Sequence, residues 1–464
     1  MHKPNSKPAM TLESTGIDLV PEDQRTGTPG ELFWIWTAAN IGILGIVYGA
    51  IIVSFELSLI QALLAGLVGV ASFALVGFTS FAGKRGRTST LTLSRVIFGI
   101  KGNVPPTAFS WINLLGWEAV NVITGTLTLV ALFQALGFAA GTWLSVLSLA
   151  LFGGLTVIVS LLGQNTVASL QRWFGKVFGA LTLVVVAYIV AHTPWAEVLA
   201  RPSGSWLSGF LPAVSIIAAG TGISWAIAGA DYSRFQHEDA SSGRIFAAVV
   251  GGAALPLLIL IGTGVLLSAQ LPGLSSDANP IALVGTVLPT WMAVPYLLAA
   301  TAGIVSIAVL SLYSASLNLL TLGVQVKQSL AITVDALLVL GVAVYVIFIS
   351  GEFIGPFISF LVFCGVFLSA WEAIFVLDYF YLRRHQGYDP DALYGLHNRG
   401  VQVVPLACWV IGAISGLLVS KTGFIDGPLA LGIFANSSLG LFVSFLASLM
   451  CYGMWLLFGP RKMA

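Results

Sequence analysis

Apolar runs long enough to cross a lipid bilayer recur along almost the whole chain, and no other feature limits its possible folds as much. A spanning helix needs about 20 apolar residues. Twelve runs approach or exceed that length: residues 32–55, 57–82, 107–135, 143–162, 177–191, 213–235, 245–267, 291–324, 329–349, 354–381, 401–419 and 429–458. The third, eighth, tenth and twelfth are longer than the hydrocarbon requires, so they are expected to tilt or project. Only 8% of the residues are charged, where a soluble domain carries about 25%. The composition therefore specifies an all-α polytopic membrane protein.

Charge placement predicts the orientation. With the N-terminus inside, 18 of the 20 Lys and Arg fall on the inner side and only Arg201 and Lys421 outside. This asymmetry predicts both termini in the cytoplasm and an even number of spans. The net charge of +1 gives no reason to expect a nucleic-acid partner. Cys364, Cys408 and Cys451 lie in apolar runs without CxxC spacing, so neither a disulfide framework nor a metal site is predicted. Residues 1–30 are polar, contain Pro4, Pro8, Pro21 and Pro29, and lack the apolar core of a signal peptide. They read as a flexible cytoplasmic tail.

The sixth run does not stay helical. Its apolar start is interrupted by Gly220-Thr221-Gly222, with Ser224 and Trp225 just after, and it ends on Asp231-Tyr232-Ser233-Arg234. Each glycine costs roughly 1 kcal/mol against alanine in a helix interior. Backbone freed at mid-membrane survives only where it lines a cavity or meets other protein. The stretch is thus either a binding site or a glycine packing surface. The first run carries a similar interruption at Asn40-Ile41-Gly42 and Gly45. Breaks at corresponding places in two halves point to a transporter built from inverted repeats, with its site at the breaks.

The third run supplies a polar face. Trp117 and Asn121 lie one turn apart and so share a side of the helix. An indole can stack on a flat heteroaromatic ring, and a carboxamide offers a donor and an acceptor to an amide-like edge. Glu118 points about 100° away from Trp117. A carboxylate at this depth marks a function by default, either carrying a proton or sitting protonated against another helix. The eighth run carries Ser306, Ser311, Tyr313, Ser314 and Ser316. Such hydroxyls either ligate a cation or bond back to their own helix. Asp335, Glu372 and Asp378 are the remaining acids in or near the runs. Asp378 reads as a solvated or ion-paired helix end.

Five segments together resemble the nucleobase–cation symporter family, and within it the purine–cytosine permease branch. They are FWIWTAANIGILG, LTLSRVIFGIKGNVPP, GWEAVN, ISWAIAGADYSRF and LYSASL. The resemblance runs from about residue 31 to 384, and the SR-x-x-FG-x-KG-x-x-x-P loop is its most specific element. It implies the leucine-transporter fold: a first five-helix repeat at 31–200, an inverted second repeat at 205–385, and two additional helices at 400–458. It implies a site between helices one, three, six and eight. There Trp117 matches the family's stacking residue and Asn121 its base-binding amide. Trp225 lies six residues before Asp231, as in the purine–cytosine branch. The hydantoin and cytosine carriers place their ring where this chain has Gly222. Ser224 or the backbone of Gly220 and Gly222 is then expected to touch the substrate, with Asn40 from helix one.

Helix eight departs from the sodium-coupled pattern. Anchored on Leu312-Tyr313-Ser314, the expected Asn, Thr and Thr fall on Gly303, Ser306 and Ile307. That leaves one side-chain oxygen, supplemented by helix one near Gly42, for a hard cation that takes a full oxygen shell. Glu118 makes H⁺ at least as good a coupling ion as Na⁺.

The expected function is secondary import of a neutral nitrogen heterocycle, purine or cytosine, across the plasma (inner) membrane by a monomer. It needs no bound cofactor beyond a co-transported H⁺ or Na⁺. Alternatives are a related heterocyclic vitamin or precursor, allantoin or hydantoin, or an amino-acid or amine carrier on the same fold. The last would need a charged group at the breaks, and none is there. An enzyme would need a nucleophile–base pair or metal motif, and neither HExxH nor GxSxG occurs.

Overall fold

The computed structural model describes residues 15–160, 164–275, 280–324, 326, 328–350, 354–395, 400–435 and 437–459, without the side chains of 160, 164–175, 328, 329 and 354. Among these residues the secondary structure is helical, with two isolated β-bridges and no strand. Among the described residues nine helices are long and apolar enough to cross a membrane, one further pair forms a bent span, and two shorter apolar helices join them. All twelve coincide with the apolar runs.

Span 1 is the bent pair, α1 (Pro29–Asn40) and α2 (Leu44–Val53), turned by 61°. Span 2 is α3 (Leu59–Val70) continued by α4 (Phe73–Gly86). A short amphipathic helix, α5 (Thr90–Phe98), precedes span 3, α6 (Val104–Ala135). Spans 4 and 5 are α7 (Thr142–Ser160) and α8 (Gln164–His192), followed by α9 (Trp195–Ala200). Span 6 is assembled from a π turn at Trp206–Phe210, α10 (Leu211–Ala218), a second π turn at Ala219–Ile223, α11 (Ser224–Ala226) and α12 (Gly229–Ser233). Span 7 is α13 (Ser242–Leu267), and α14 (Pro280–Thr286) leads to span 8, α15 (Thr290–Thr321). Spans 9 and 10 are α16 (Gln328–Tyr345) and α17 (Ile354–Asp378). The short α18 (Arg384–Gln386) and α19 (Pro390–Tyr394) lead to spans 11 and 12, α20 (Val403–Leu418) and α21 (Gly440–Phe458). Span 12 is therefore 19 residues long. The apolar residues before it, read above as part of the helix, form a loop with a 3₁₀ turn at Gly432–Phe434.

Local chemistry starts these helices. Thr28 and Glu31 make a reciprocal capping box at α1, with Pro29 at the first helical position. Ser58 and Gln61 do the same at α3, and the Gln61 carboxamide also pairs with both backbone groups of Gly204 at 2.8 Å. Large apolar side chains point outward along the spans, among them Ile60, Leu183, Leu337 and Leu457. A water-soluble chain could not leave so much hydrocarbon exposed, whereas lipid welcomes it.

The spans pack in two groups. Spans 1, 2, 6 and 7 form one, and spans 3, 4, 8 and 9 the other, with α8 touching both. Spans 10, 11 and 12 pack on one another. Spans 1 and 7 approach to backbone contact: a Cβ at Gly49 would collide with the Ile261 carbonyl, and one at Gly264 with that of Ile46. Small residues permit this in membrane helices.

Lys84, Arg85, Arg87, Arg234 and Arg383 gather at one end of the bundle, the basic end. Residues 15–28, expected above to be part of a flexible tail, pack across it. The Arg25 guanidinium, 5% exposed, donates to the carbonyls of Gln236 and Lys84 at 3.1 Å each. Glu22 binds Arg25 and Arg87. Residues 1–14 lie outside the described part. Asp378, read above as a solvated or ion-paired end, is buried: Arg383 donates to it at 3.1 Å and the Tyr452 hydroxyl at 2.8 Å.

Candidate substrate site at the broken spans

The break in span 6 falls at the glycines. Thr221 leaves helical space at φ −127°, ψ −105°. The polar groups around the break find partners on neighbouring spans. The Tyr48 hydroxyl on α2 donates to the Gly220 carbonyl at 3.0 Å, and the Gly222 N–H donates to Ser72 Oγ between α3 and α4 at 3.1 Å. The Ser224 hydroxyl donates back to the Ala219 carbonyl, and the Asn113 carboxamide donates to the Ser224 carbonyl at 3.3 Å. A Cβ at residue 222 would run into the Ser72–Phe73 backbone. The break and the packing surface, open alternatives in the sequence, are one structure. It follows that Ser224 Oγ, the Gly220 carbonyl and the Gly222 N–H, all expected to face the substrate, are bonded to protein.

Span 1 breaks after Asn40. The Asn40 carboxamide turns back to the Trp36 carbonyl at 2.9 Å, capping α1. Trp225, expected at the site, stands edge-on to Trp36 at 5.6 Å and 89°. Trp36 is fully buried and also meets Phe73 and Tyr232 edge-on. The Trp225 indole is thus committed to an aromatic cluster joining spans 1, 2 and 6.

On α6 the polar atoms remain unspent. Trp117 and Asn121 are buried, and neither Trp117 Nε1 nor Asn121 Nδ2 has a hydrogen-bond partner among the described residues. Phe357 at the start of α17 stands edge-on to the Trp117 ring, centroids 5.4 Å apart at 81°. Glu118, 1% exposed, interacts with the Asn121 side chain, and neither of its carboxylate oxygens has a close hydrogen-bond partner among the described residues. Leaving a buried polar group unpaired costs about 1–3 kcal/mol. These groups are concentrated on one helix, which reaches the break in span 6 through Asn113. Asn113 belongs to the same stripe as Trp117 and Asn121, spaced by four residues. That periodicity was available in the sequence and overlooked; the roles of Tyr48, Ser72 and Phe357 depend on contacts between distant residues.

Apolar side chains pack against both glycines of the expected cation site. A Cβ at Gly42 would lie 3.0 Å from Ile307 Cδ1, and one at Gly303 would lie 2.7 Å from the Phe178 ring. Ser306 is 3% exposed. Among the other helix-eight hydroxyls, Ser316 bonds back to the Tyr313 carbonyl at 2.7 Å.

Toward the basic end span 6 meets span 8. The Tyr232 hydroxyl donates to the Leu310 carbonyl at 2.8 Å and lies 3.1 Å from Ser314 Oγ. Arg234, fully buried, donates to the Tyr313 hydroxyl at 2.7 Å and to the Gly16 carbonyl at 2.6 Å. Asp231 accepts from the Thr90 N–H and hydroxyl, tying α12 to α5.

Comparison with known proteins agrees with this fold. The structure is similar to that of Mhp1, a nucleobase-cation-symport-1 family transporter in a closed conformation with bromovinylhydantoin bound. The TM-score is 0.76 at 19% identity, covering 98% of this chain and 97% of that one. A Na⁺-coupled sialic acid symporter shares the fold at a TM-score of 0.64 and 14% identity, over 96% and 92% of the two chains. In sequence, the chain is 25% identical to a putative purine-cytosine permease of Bacillus subtilis, YxlA, over 91% of both proteins. It is 26% identical to the purine-cytosine permease FCY2 of Saccharomyces cerevisiae over 55% of this chain and 48% of that protein. Residues 19–457 match the profile of the family described as permease for cytosine/purines, uracil, thiamine, allantoin, and the chain belongs to that family.

Proposed function

We propose that the protein imports a flat, neutral nitrogen heterocycle, a purine or cytosine, by symport with H⁺ through alternating access at the broken spans. The observation that carries this reading is the pair Trp117 and Asn121. An indole face and a carboxamide lie one turn apart and buried, where a planar base can stack on one and pair its amide-like edge with the other. The names of the relatives support the substrate class. Asn40, Gly220, Gly222 and Ser224 shape the wall and hinge the two spans through their bonds to protein, and Trp225 through its contact with Trp36. Residues 31–200 and 205–385 act as the two inverted repeats, with 400–458 as an addition. The basic end faces the cytoplasm of a plasma (inner) membrane.

Proton coupling is favoured by chemistry at two places. Ile307 packs against Gly42 and Phe178 against Gly303, and of Gly303, Ser306 and Ile307 only Ser306 offers a side-chain oxygen to a sodium ion. Glu118 meanwhile holds an unsatisfied carboxyl beside the stacking ring. The test is uptake of radiolabelled bases into proteoliposomes, with pH and Na⁺ gradients imposed separately. Accumulation driven by an inward proton gradient and unchanged by replacing Na⁺ with choline is expected. Glu118→Gln should abolish accumulation while preserving part of base exchange. Uptake that rises steeply with Na⁺ and survives Glu118→Gln sinks the proton reading.

A further inference from the structure

A second unsatisfied acid lies along the same strip of α6, away from the substrate. Trp111 is seven residues before Glu118, which brings it to the same face two turns nearer the basic end. Its indole Nε1 donates to Asp335 Oδ1 on α16 at 2.9 Å. Asp335 is 0% exposed, and its other oxygen, Oδ2, has no hydrogen-bond partner among the described residues. Asp335 and Glu118 are close enough to interact electrostatically across the packed α6–α16 interface. Depths agree from both helices. Trp111 is seven residues into α6 and Asp335 seven into α16, each about 10 Å from the basic end, with Glu118 about 21 Å in. A serine or threonine on α16 could accept the indole N–H without the cost of burying an acid, so joining two helices does not account for an aspartate.

From this geometry we infer that Asp335 is the group that receives the coupling proton from Glu118 and passes it to the cytoplasm, by a route separate from the substrate's exit. The inference rests on the proton-coupled reading above. In the step, the Glu118 carboxylic acid gives its proton to the Asp335 carboxylate, relayed by water. Glu118 is left ionised and Asp335 protonated, and Asp335 then loses the proton to water at the cytoplasmic end. The Trp111 N–H positions the Asp335 carboxylate and stabilises its ionised form. Spans 3 and 9 belong to the same packing group, so this route stays assembled while the other group rocks against it. Other titratable groups on the elements packed against α6 are few. The described side chains of α7 and α14 have none, and α15 has Tyr296 and Tyr313, the latter bound by Arg234. On α17 they are Cys364, Glu372 and Asp378, the last paired with Arg383 and Tyr452.

Full-length protein in proteoliposomes tests the inference through two readouts: base exchange at equal pH, and accumulation of base under an imposed pH gradient with a trapped pH dye. Asp335→Asn should keep exchange within about twofold of the parent and lose accumulation and dye-reported proton entry tenfold or more. Asp335→Glu should restore both, and Trp111→Phe should slow proton entry several-fold. A parent driven by the pH gradient whose Asp335→Asn variant accumulates base normally overturns this inference alone. A parent indifferent to the pH gradient overturns the proton-coupled reading and this inference with it. Loss of exchange together with accumulation in Asp335→Asn, unrepaired in Asp335→Glu, assigns Asp335 to packing and also overturns the inference.

Discussion

Trp117 and Asn121 divide recognition between surface and edge, and the two contributions can be separated. Stacking on an aromatic face is worth about 1–3 kcal/mol per base. Trp117→Ala should weaken base binding by roughly that amount, and losing the edge contact with Phe357 falls in the same direction. Trp117→Phe keeps a face and should lose much less. Equal losses in both variants, measured by calorimetry or competition, would count against stacking. Asn121 contributes differently. Asn121→Leu leaves the ligand's polar edge buried without a partner, at a cost of about 1–3 kcal/mol. The loss should be largest for bases with adjacent donor and acceptor atoms. A uniform loss across a panel of bases would point to packing instead. These two residues were legible in the sequence because both properties, depth in the run and spacing by one turn, are local. Asn40 and Ser224 were read as substrate contacts because a polar side chain at a break has two possible partners. The structure shows each donating to a nearby backbone carbonyl, a local bond that spacing alone does not reveal.

At the scale of elements, the breaks were legible and their partners were not. Glycine pairs announce where a membrane helix fails, but Tyr48 and Ser72, which bond the backbone at the break, come from 172 and 150 residues away. The closure of spans 6 and 8 toward the basic end is equally non-local. Tyr232 holds it through the Leu310 carbonyl and Ser314. A neutral hydrogen bond contributes about 1 kcal/mol net. Tyr232→Phe should therefore shift the balance toward cytoplasmic opening by roughly five- to thirtyfold for one to two such bonds. A cysteine at Ser110, which is fully buried beneath the site and bonded to Asn318, reports the change. Its labelling by a thiol reagent from the cytoplasmic side should accelerate in Tyr232→Phe and slow again when base is added. Labelling unchanged by the mutation would show that the Tyr232 hydroxyl does not hold the gate.

For the whole molecule, the two strongest signals were run length and charge asymmetry, and both are one-dimensional. Run length located the nine long apolar helices, the bent pair and the two shorter apolar helices among the described residues. It missed the loop before α21 because apolar residues also fill loops within the hydrocarbon border. It missed the packing of residues 15–28, whose Arg25 reaches carbonyls 59 and 211 residues away. The charge asymmetry makes a prediction about orientation, since the order of the apolar runs assigns 18 of the 20 Lys and Arg to one side and such residues resist translocation. Arg85 and Lys421 are both exposed and stand at opposite ends of the bundle, so they make a matched pair of probes. In a chain with its native cysteines replaced by serine, a cysteine at Arg85 should resist an impermeant thiol reagent added to intact cells and react once the membrane is opened. A cysteine at Lys421 should react at once. Base accumulation by each variant confirms that the labelled molecules are folded. Rapid labelling at Arg85 in intact cells, with protection at Lys421, would invert the molecule. Proton release through Asp335 would then run outward, the closed end at Tyr232 and Arg234 would face the exterior, and the protein would be read as an exporter.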